Sequence, residues 1–530
     1  MNRKKNISIS YSEVGMLSQL TRDYLENKDE VKPFYGRESN SFNITHSLKT
    51  REKFPEHNRK VLVEVLKQQY GDLSTLPVKK NIEALLKKNT YTITTGHQLN
   101  LFTGPLYFIY KIVSAIQTAK QLSRDYPDKN FVPVYWMATE DHDFEEINHT
   151  YLGGEKIEWK SEQTGMVGDF DLNGMEEVVE KFCNALGDSL ANKEVIKLIK
   201  KAYLDHSNLA DATRFLVHSL FETHGLVILD GNSKELKTLF APIVKDEIEN
   251  KTSYKSVTKT IEEFGKYKAQ VAPREINLFY VTHGIRERIV EVDSGYHINN
   301  TEIYFDKAEM LLEIENYPER FSPNVILRPV YQEIILPNLV YIGGGAEVAY
   351  WLELKSTFES FKVLFPLIQI RSSFLALSEK SLGRIEKLGL EIKDVYRSKE
   401  DLISVHVKSV NPFNEKMDDL LTRLKSELIN FSNELTAFDT QLNQSIGVAD
   451  KGIDKSISRL RKKVNSSVRR NNADYLNGLD QLFNAVYPNG VYQERQVNFF
   501  ELYTLYGDIF VNSIFAQTEP FCTKLRILNL

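Results

Sequence analysis

Short apolar runs alternate with amphipathic helical stretches from Tyr91 to about residue 375. The runs are rich in β-branched and aromatic side chains, and they occupy 91–95, 131–138, 226–230, 339–344 and 366–371. After the first run, the stretch that starts at Pro105 has apolar residues at helical spacing, with the proline near the first helical position. This alternation is typical of βαβ units, so we predict an α/β core around a mostly parallel sheet.

Two segments, near 150–205 and near 260–320, do not follow this alternation. Within the second, 277–305 alternates apolar and polar residues between Gly and Asn turns, which predicts an antiparallel meander. We interpret both segments as insertions into a core that spans 1–375. Insertions in α/β proteins tend to lie over the carboxyl ends of the strands, where ligands bind.

A heptad repeat begins after the predicted core. Its apolar positions are spaced alternately by four and three residues, at Met417, Leu421, Leu424, Leu428, Phe431, Leu435, Phe438 and Leu442. A second seam in 453–468 follows a predicted turn at 447–452, so we expect an antiparallel helical hairpin in a coiled-coil domain over 376–486. The apolar tail 487–530 is expected to pack on the core or the hairpin. Together, the heptad seam and this tail carry more apolar surface than a two-helix hairpin can cover, which predicts a homodimer.

The composition is that of an ordinary globular protein. Of 530 residues, 42% are hydrophobic and 26% are charged, and the net charge of −5 offers no global field for nucleic acid or an anionic membrane. Cys183 and Cys522 are too few for a disulfide framework or a cysteine-rich zinc site and fit a reducing compartment. With no signal peptide or membrane-span pattern, we expect a cytoplasmic protein.

The first candidate motif, TGHQLNLFTGPLY at 95–107, joins a predicted strand to a predicted helix. Gly96 and Gly104 allow close backbone approach, and the following helix offers free N–H groups, so the loop resembles an anion site. His97 lies at its mouth. This histidine is either a group that stabilises charge or moves a proton, or a loop residue that caps backbone groups.

The second motif, TEDHDFEEINH at 139–149, directly follows another predicted strand. Asp143 with Glu146 three residues later fits a helix capping box that needs no substrate. His142, Asp143 and His149 are possible metal ligands, but their spacing matches no zinc signature. The density of acidic residues beside a strand end favours recognition of a substrate ammonium and acid–base chemistry.

The third motif is a three-glycine turn, Gly343 to Gly345, between a predicted strand and helix, with Glu347 in the first helical turn. It does not match the G-x-G-x-x-G fingerprint, so we do not propose NAD. A tight turn followed by an acidic first turn explains the pattern without a ligand. Arg328 and Glu333 stand among apolar neighbours, and buried charges need partners.

The fourth motif is a basic run, in which 451–470 holds eight Lys and Arg against the single acid Asp454. Such a face binds nucleic acid or phosphate, or it is a solvated surface that pairs with the acidic first arm.

Four stretches resemble the family of the cysteine-adding enzyme of bacillithiol biosynthesis, the BshC cysteine ligases. They are TGHQLNLFTGPLYFIYK, PVYWMATEDHDFEEINH, LRPVYQEIILPNLVYIGGGAEVAYWLELK and PNGVYQER, and they span nearly the whole chain. The resemblance implies a Rossmann-like core similar to class I aminoacyl-tRNA synthetases, connecting-peptide insertions, and a C-terminal coiled coil that mediates dimerisation.

The same resemblance implies a reaction. The carboxyl group of L-cysteine is joined to the amino group of glucosaminyl malate in the last step of bacillithiol biosynthesis, with ATP and Mg²⁺, by analogy through a cysteinyl adenylate. It also implies a nucleotide site near the coiled coil. The chain departs from class I synthetases, because only His97 stands where they carry two histidines, and Ser378 to Lys380 is the nearest counterpart of their lysine loop.

We therefore assign catalytic roles to His97, Asp141, His142 and Asp143, with the aspartates binding or deprotonating the sugar ammonium. Substrate contacts are expected from Gly96, Gln98, Asn100, Thr103, Tyr107, Trp136, Glu140, Asn148, Arg328, Gly345, Glu347 and Trp351. Nucleotide contacts are expected from Lys380, Tyr487 and Arg495, and no residue is assigned to a metal. The alternative function is a synthetase-like protein that binds a nucleotide or tRNA through the basic arm; polar residues at three strand ends argue against a purely structural scaffold.

Overall fold

The computed structural model describes residues 7–35, 44–187 and 189–530. By its internal contacts the chain divides into two compact units. The first comprises the described part of Met1–Ala376 together with Val491–Leu528, and the second is Leu377–Gly490. Within the described ranges, no helix has the length and apolar character needed to cross a membrane.

The first unit mixes strands and helices, whereas the second is mainly helical. The strands are β1 (Ile7–Ser10), β2 (Thr90–His97), β3 (Asn130–Met137), β4 (His149–Leu152), β5 (Glu155–Glu158), β6 (Val227–Asp230), β7 (Leu278–Thr282), β8 (Ile285–Val292), β9 (Gly295–Ile298), β10 (Tyr304–Asp306), β11 (Phe321–Pro323), β12 (Asn338–Gly343), β13 (Leu367–Ile370), β14 (Phe374–Leu377) and β15 (Lys524–Asn529). The helices are α1 (Tyr11–Val14), α2 (Gln19–Leu25), α3 (Ile44–Arg51), α4 (Glu56–Tyr70), α5 (Leu76–Ala84), α6 (Leu106–Asp125), α7 (Phe144–Ile147), α8 (Met175–Leu186), α9 (Leu190–Leu204), α10 (Leu209–Phe221), α11 (Lys234–Asn250), α12 (Thr252–Glu263), α13 (Lys307–Asn316), α14 (Leu327–Ile335), α15 (Gly345–Leu352), α16 (Lys355–Ser360), α17 (Glu379–Lys387), α18 (Lys399–Val410), α19 (Asn414–Phe438), α20 (Asn443–Asn471), α21 (Ala473–Val486), α22 (Gln493–Gln496), α23 (Phe499–Tyr506) and α24 (Asp508–Gln517).

A parallel sheet with strand order β13-β12-β2-β3-β6 forms the core of the first unit. In chain order these strands are 5-4-1-2-3, which is the arrangement of the Rossmann fold. Every residue of β2 and β12 is buried, because helices cover both faces of such a sheet, and this burial explains why the strands read as unbroken apolar runs. The predicted α/β core with a parallel sheet is confirmed.

Helix α6 connects the first two core strands, and its apolar face packs under them. Ala115, Ala119 and Leu122 of this helix join Tyr91 and Ile93 of β2 in one buried cluster. The strand order changes direction between β2 and β12. The carboxyl ends of these two strands therefore leave a crevice, the usual ligand site of an open α/β sheet.

The inserted segments form structures of their own. A β4–β5 hairpin with α8 and α9 follows β3, and a second sheet has the order β10-β9-β8-β7-β11. The pairs β7–β8, β8–β9 and β9–β10 are antiparallel, so the meander predicted for 277–305 is confirmed.

The C-terminal segment after Val491 belongs to the first unit. Strand β15 pairs antiparallel with β1, with Ile527 opposite Ile7. The amide Nδ2 of Asn498 donates to the carbonyl oxygens of Phe102 and Gly104 at 2.8 and 3.1 Å. This segment thereby fixes the loop that follows β2.

In the second unit, α19 and α20 form the predicted antiparallel hairpin, with ion pairs from Lys425 to Asp454 at 2.9 Å and from Arg461 to Asp418 at 2.5 Å. Each arm therefore supplies one cation and one carboxylate to these pairs, and within the described ranges only Arg461 of the basic run pairs in this way with an acid of the first arm. The turn predicted at 447–452 is wrong, because those residues lie inside α20. The chain turns at Asp439 instead, whose carboxylate accepts a hydrogen bond from the backbone N–H of Gln441 at 2.9 Å. Glycine is tolerated within a helix, at a modest cost in free energy.

Much of the heptad seam remains uncovered in the single chain. Met417 and Ile457 are buried, but Phe431 and Phe438 are 54% and 87% exposed. Large apolar side chains at this spacing are typical of a surface that another helix covers.

We expect the full chain to have twice the monomer mass in solution, because a second copy would cover this seam. Replacing both Leu428 and Leu435 by Asp should shift the mass toward one chain, since buried carboxylates are strongly disfavoured. Light scattering at micromolar concentration measures both, with the exposed Ser426→Asp as control. A wild-type mass of one chain would contradict the dimer.

Candidate active site

The carboxyl ends of β2 and β12 open into a cavity of about 590 Å³, here called the central cavity. It lies in the first unit, at the crevice where the strand order changes direction. Its lining residues are Gly96, His97, Gln98, Tyr107, Lys111, Trp136, Ala138, Glu146, Val325, Arg328, Tyr341, Gly344, Gly345, Ala346, Glu347, Tyr350, Arg371 and Arg495.

A buried ion pair between Lys111 and Glu347 forms one wall of the central cavity. The ammonium of Lys111 lies 2.5 Å from the Glu347 carboxylate and donates to the Gly96 carbonyl at 2.8 Å. Glu347 also accepts from the Gly344 N–H at 2.8 Å and the Tyr341 hydroxyl at 2.7 Å. Burial alone would raise the pKa of Glu347, but Lys111 and these donors hold it below its ordinary value. Glu347 therefore stays ionised.

Arg371, just after β13, contributes a second buried cation. Its guanidinium bonds both carboxylate oxygens of Glu494, at 2.7 and 2.9 Å. Its Nε atom is buried and has no hydrogen-bond partner among the described residues. Burial disfavours the charge, yet Glu494 keeps the pKa of Arg371 above its usual range. The bidentate pair fixes the direction of the guanidinium, as is typical of Arg–carboxylate contacts.

Arg328 supplies the third cation of the cavity lining. Its Nη1 donates to Gln332 at 2.9 Å, and its guanidinium carbon lies 5.6 Å from the ring centroids of both Trp136 and Tyr341. Its Nη2 is buried and lacks a partner among the described residues. A planar cation with an unused donor is suited to a carboxylate or phosphate oxygen.

His97 ends β2 and packs its ring on Phe108, with 4.8 Å between centroids, and edge-on against Tyr107 at 5.3 Å. Its Nε2 atom is buried without a hydrogen-bond partner in the described structure. Burial, together with the positive charges of Lys111 and Arg371, lowers the pKa of His97 well below its usual value. The imidazole is therefore neutral near pH 7.

The loop after β3 lies beside a second cavity of about 370 Å³. Asp141 accepts from Gln98 Nε2 at 2.8 Å and from the His142 N–H at 2.8 Å. Burial opposes ionisation, but His142, Gln98 and Arg286 hold the pKa of Asp141 far below its usual range. Glu140 forms an ion pair with the buried Lys237. The Asp141 carboxylate is thus ionised, and the side chains of Glu140 and Asp141 already have partners.

Asp143 is exposed at the start of α7 and makes no side-chain cap, so the capping box predicted with Glu146 is wrong. Glu146 instead accepts from Gln98 Nε2 at 2.9 Å and lines the central cavity. The backbone of Asp143 explains this result, because its conformation does not direct the carboxylate toward the N–H groups of the following turn.

Residues 3–372 match the family described as "Bacillithiol biosynthesis BshC, N-terminal Rossmann-like domain", and residues 374–530 match "Bacillithiol biosynthesis BshC, C-terminal coiled-coil domain". The chain belongs to the BshC family. Relatives named "Putative cysteine ligase BshC" from Flavobacterium johnsoniae, Flavobacterium psychrophilum and Christiangramia forsetii are 43%, 41% and 40% identical to it. The matches cover 98% of this chain in each case, and 99%, 99% and 98% of the relatives.

This BshC-family chain gathers only part of the predicted site in the central cavity. The cavity contains Gly96, His97, Gln98, Tyr107, Trp136, Arg328, Gly345, Glu347 and Arg495 from those predictions. Glu140, Asp141 and His142 line the second cavity, and Asn100 lines a third of about 320 Å³.

The remaining predicted residues lie elsewhere. Thr103 is buried in a short 3-10 helix, Leu101–Thr103, and Asn148 is buried directly after α7. Trp351 is buried against Tyr341, with 4.3 Å between ring centroids. Lys380 and Tyr487 belong to the second unit, where Tyr487 stacks on Phe483.

Several lining residues of this BshC-family chain were not predicted from the sequence, namely Lys111, Glu146, Tyr341, Tyr350 and Arg371. Two of them carry a readable signal. Lys111 stands in the apolar stretch YFIYKIV, where a solvent-exposed lysine is not expected, and Arg371 directly follows an apolar strand. As with Arg328 and Glu333, a charge among apolar neighbours indicates a buried partner. Glu333 indeed pairs with the buried Arg51.

Replacing Glu494 by Ala should lower the free energy of unfolding by about 3–5 kcal/mol, because it leaves the buried Arg371 uncompensated. Urea unfolding followed by tryptophan fluorescence measures this, since Trp136, Trp159 and Trp351 are all buried in the first unit. Glu519→Ala, which removes a largely exposed partner of Arg526, is the control, with an expected change of about 1 kcal/mol or less. Equal effects of the two substitutions would contradict this account of the pair.

Proposed function

We propose that this protein joins the carboxyl group of L-cysteine to the amino group of glucosaminyl malate, the last step of bacillithiol biosynthesis, with consumption of ATP. Membership of the BshC family, described by its role in bacillithiol biosynthesis, and relatives named as cysteine ligases support this proposal. The observation that carries it is the central cavity, where Lys111, Arg328 and Arg371 face the same space as Glu146 and Glu347.

The cations of the cavity suit the carboxylates of both proposed substrates. Cysteine carries one carboxylate, and a malyl group carries two. The free donors on Arg328 and Arg371 point to hydrogen bonds with such oxygens, because a buried donor left unpaired is costly. Charge-assisted bonds from guanidinium groups are both strong and directional.

The amino group of glucosaminyl malate, in contrast, needs a negatively charged partner and a base. A sugar ammonium attacks only after it loses a proton. Glu146 can bind the ammonium at the cavity mouth, and the neutral His97 can take up the proton. Asp141 is a weaker candidate base, because its pKa lies far below the ordinary value.

Amide formation from a free carboxylate also requires activation, which ATP supplies by adenylyl or phosphoryl transfer. Arg328, Arg371 and the N–H groups at the start of α15 would hold its phosphates. Among the described residues, no three His, Cys, Asp or Glu side chains form a metal site, so we propose that Mg²⁺ enters with the nucleotide.

Purified protein with glucosaminyl malate, cysteine and ATP should form the thiol product, as detected by mass spectrometry. Release of AMP would indicate adenylyl transfer, and release of ADP would indicate phosphoryl transfer. A mixture without cysteine is the control. Product without nucleotide turnover would remove ATP from the proposal, and absence of product would contradict the ligase function.

His97→Ala should lower the turnover number of this reaction by about 100-fold or more, the usual contribution of a proton-transfer group. His57→Ala, an exposed histidine on α4, is the matched control. Circular dichroism shows whether each variant is folded. Near-normal turnover of folded His97→Ala would exclude the proposed role, and Asp143→Ala tests the sequence-based assignment of that residue in the same assay.

A further inference from the structure

The second cavity, defined by the loop 140–142 after β3 and by Phe279, Arg286 and Arg288 of the inserted sheet, has a distinctive charge pattern. We call it the arginine cavity, because Arg274 and Arg328 also line it. None of these four guanidinium groups forms an ion pair with a carboxylate of the described residues. Both carboxylates that line the cavity already have partners. Glu140 forms an ion pair with Lys237, and Asp141 accepts a hydrogen bond from Gln98.

Arg286 is built into this cavity rather than free at its surface. Its guanidinium carbon lies 3.9 Å from the centroid of the Phe279 ring, and its Nη1 donates to His142 Nδ1 at 2.6 Å. Both contacts hold the guanidinium plane in one orientation. Its Nε is buried and has no acceptor among the described residues.

A second buried donor without a partner, Nη2 of Arg328, belongs to the same lining. Buried polar groups are almost always hydrogen-bonded, so two unpaired guanidinium donors in one cavity indicate a missing acceptor. Arg274 and Arg288 add positive charge at exposed positions. An acceptor with several negative oxygens would satisfy the buried donors and the field together.

The arginine cavity also adjoins the central cavity. Trp136, Ala138, Val325 and Arg328 line both. A ligand can therefore place one end among the arginines and the other beside Lys111 and His97.

We propose that the arginine cavity binds the polyanionic end of a ligand whose remainder reaches the central cavity. A polyphosphate chain and a hydroxydicarboxylate share this chemistry. The proposal rests on the proposed function only for the source of that group, which is then either the nucleotide or the malyl moiety of the acceptor.

Calorimetry of the full-length protein with inorganic pyrophosphate and with L-malate, at low ionic strength, tests the site. At least one probe should bind, and Arg286→Gln should weaken its binding by about tenfold or more, as expected for a lost charge-assisted bond. Arg286→Lys should fall between the two, because it keeps the charge but loses the planar fork. Arg124→Gln, an exposed arginine on α6, is the control, and circular dichroism confirms folding of each variant.

The probe whose binding depends on Arg286 shows which group the cavity takes: pyrophosphate would indicate the nucleotide, and L-malate would indicate the malyl moiety. Absence of binding by both probes at millimolar concentration, or equal binding by wild type and folded Arg286→Gln, would overturn the proposal. These outcomes are separate from ligase activity. An active ligase with unchanged probe binding in Arg286→Gln would reject the arginine site alone, and Arg286-dependent binding without product would reject the ligase alone.

Discussion

The buried ion pair between Arg371 and Glu494 is the contact on which the crevice depends. Arg371 directly follows β13, the last strand of the parallel sheet along the chain, and Glu494 lies in the C-terminal segment. The pair therefore joins two parts of the first unit that are distant in sequence. Either charge alone would be strongly disfavoured in this interior. The neighbouring Gln493 reinforces the junction, because its side chain bonds both the N–H and the carbonyl of Ala376 at 2.9 Å. The C-terminal segment is therefore a wall of the candidate site, and it brings Arg495 to the central cavity.

The same pairing determines the charge of the central cavity. Glu347 compensates Lys111, and Glu494 compensates Arg371, whereas Arg328 has no carboxylate partner among the described residues. The net charge of these five side chains is therefore positive. Because Lys111 and Glu347 stand on helices and Arg371 follows a strand, the donors are oriented before any ligand arrives. Such preorganisation reduces the free energy spent on ordering side chains when an anion binds.

The fold was largely readable from the sequence, because buried parallel strands have no solvent-facing residues and appear as apolar runs between glycines and helices. The position of the hairpin turn could not be predicted in this way. Gly447 and Gly452 suggest a break in the helix, but both residues lie inside α20. The site was predicted only in part. Strand-end motifs located His97 and Glu347, but the partner of Arg371 lies 123 residues away in the chain, and local spacing carries no information about that pairing.

The charges around His97 also connect its basicity to the binding of an anion in the crevice. Burial, together with the positive charges of Lys111 and Arg371, lowers the pKa of His97 well below its usual value, so the imidazole is neutral near pH 7 and is a weak base. An anion bound between these cations would screen their repulsion and stabilise the imidazolium. The basicity of His97 would then increase when a substrate carboxylate or phosphate is in place. In the proposed reaction, His97 would therefore take up the ammonium proton only after the anionic substrate has bound between Lys111 and Arg371.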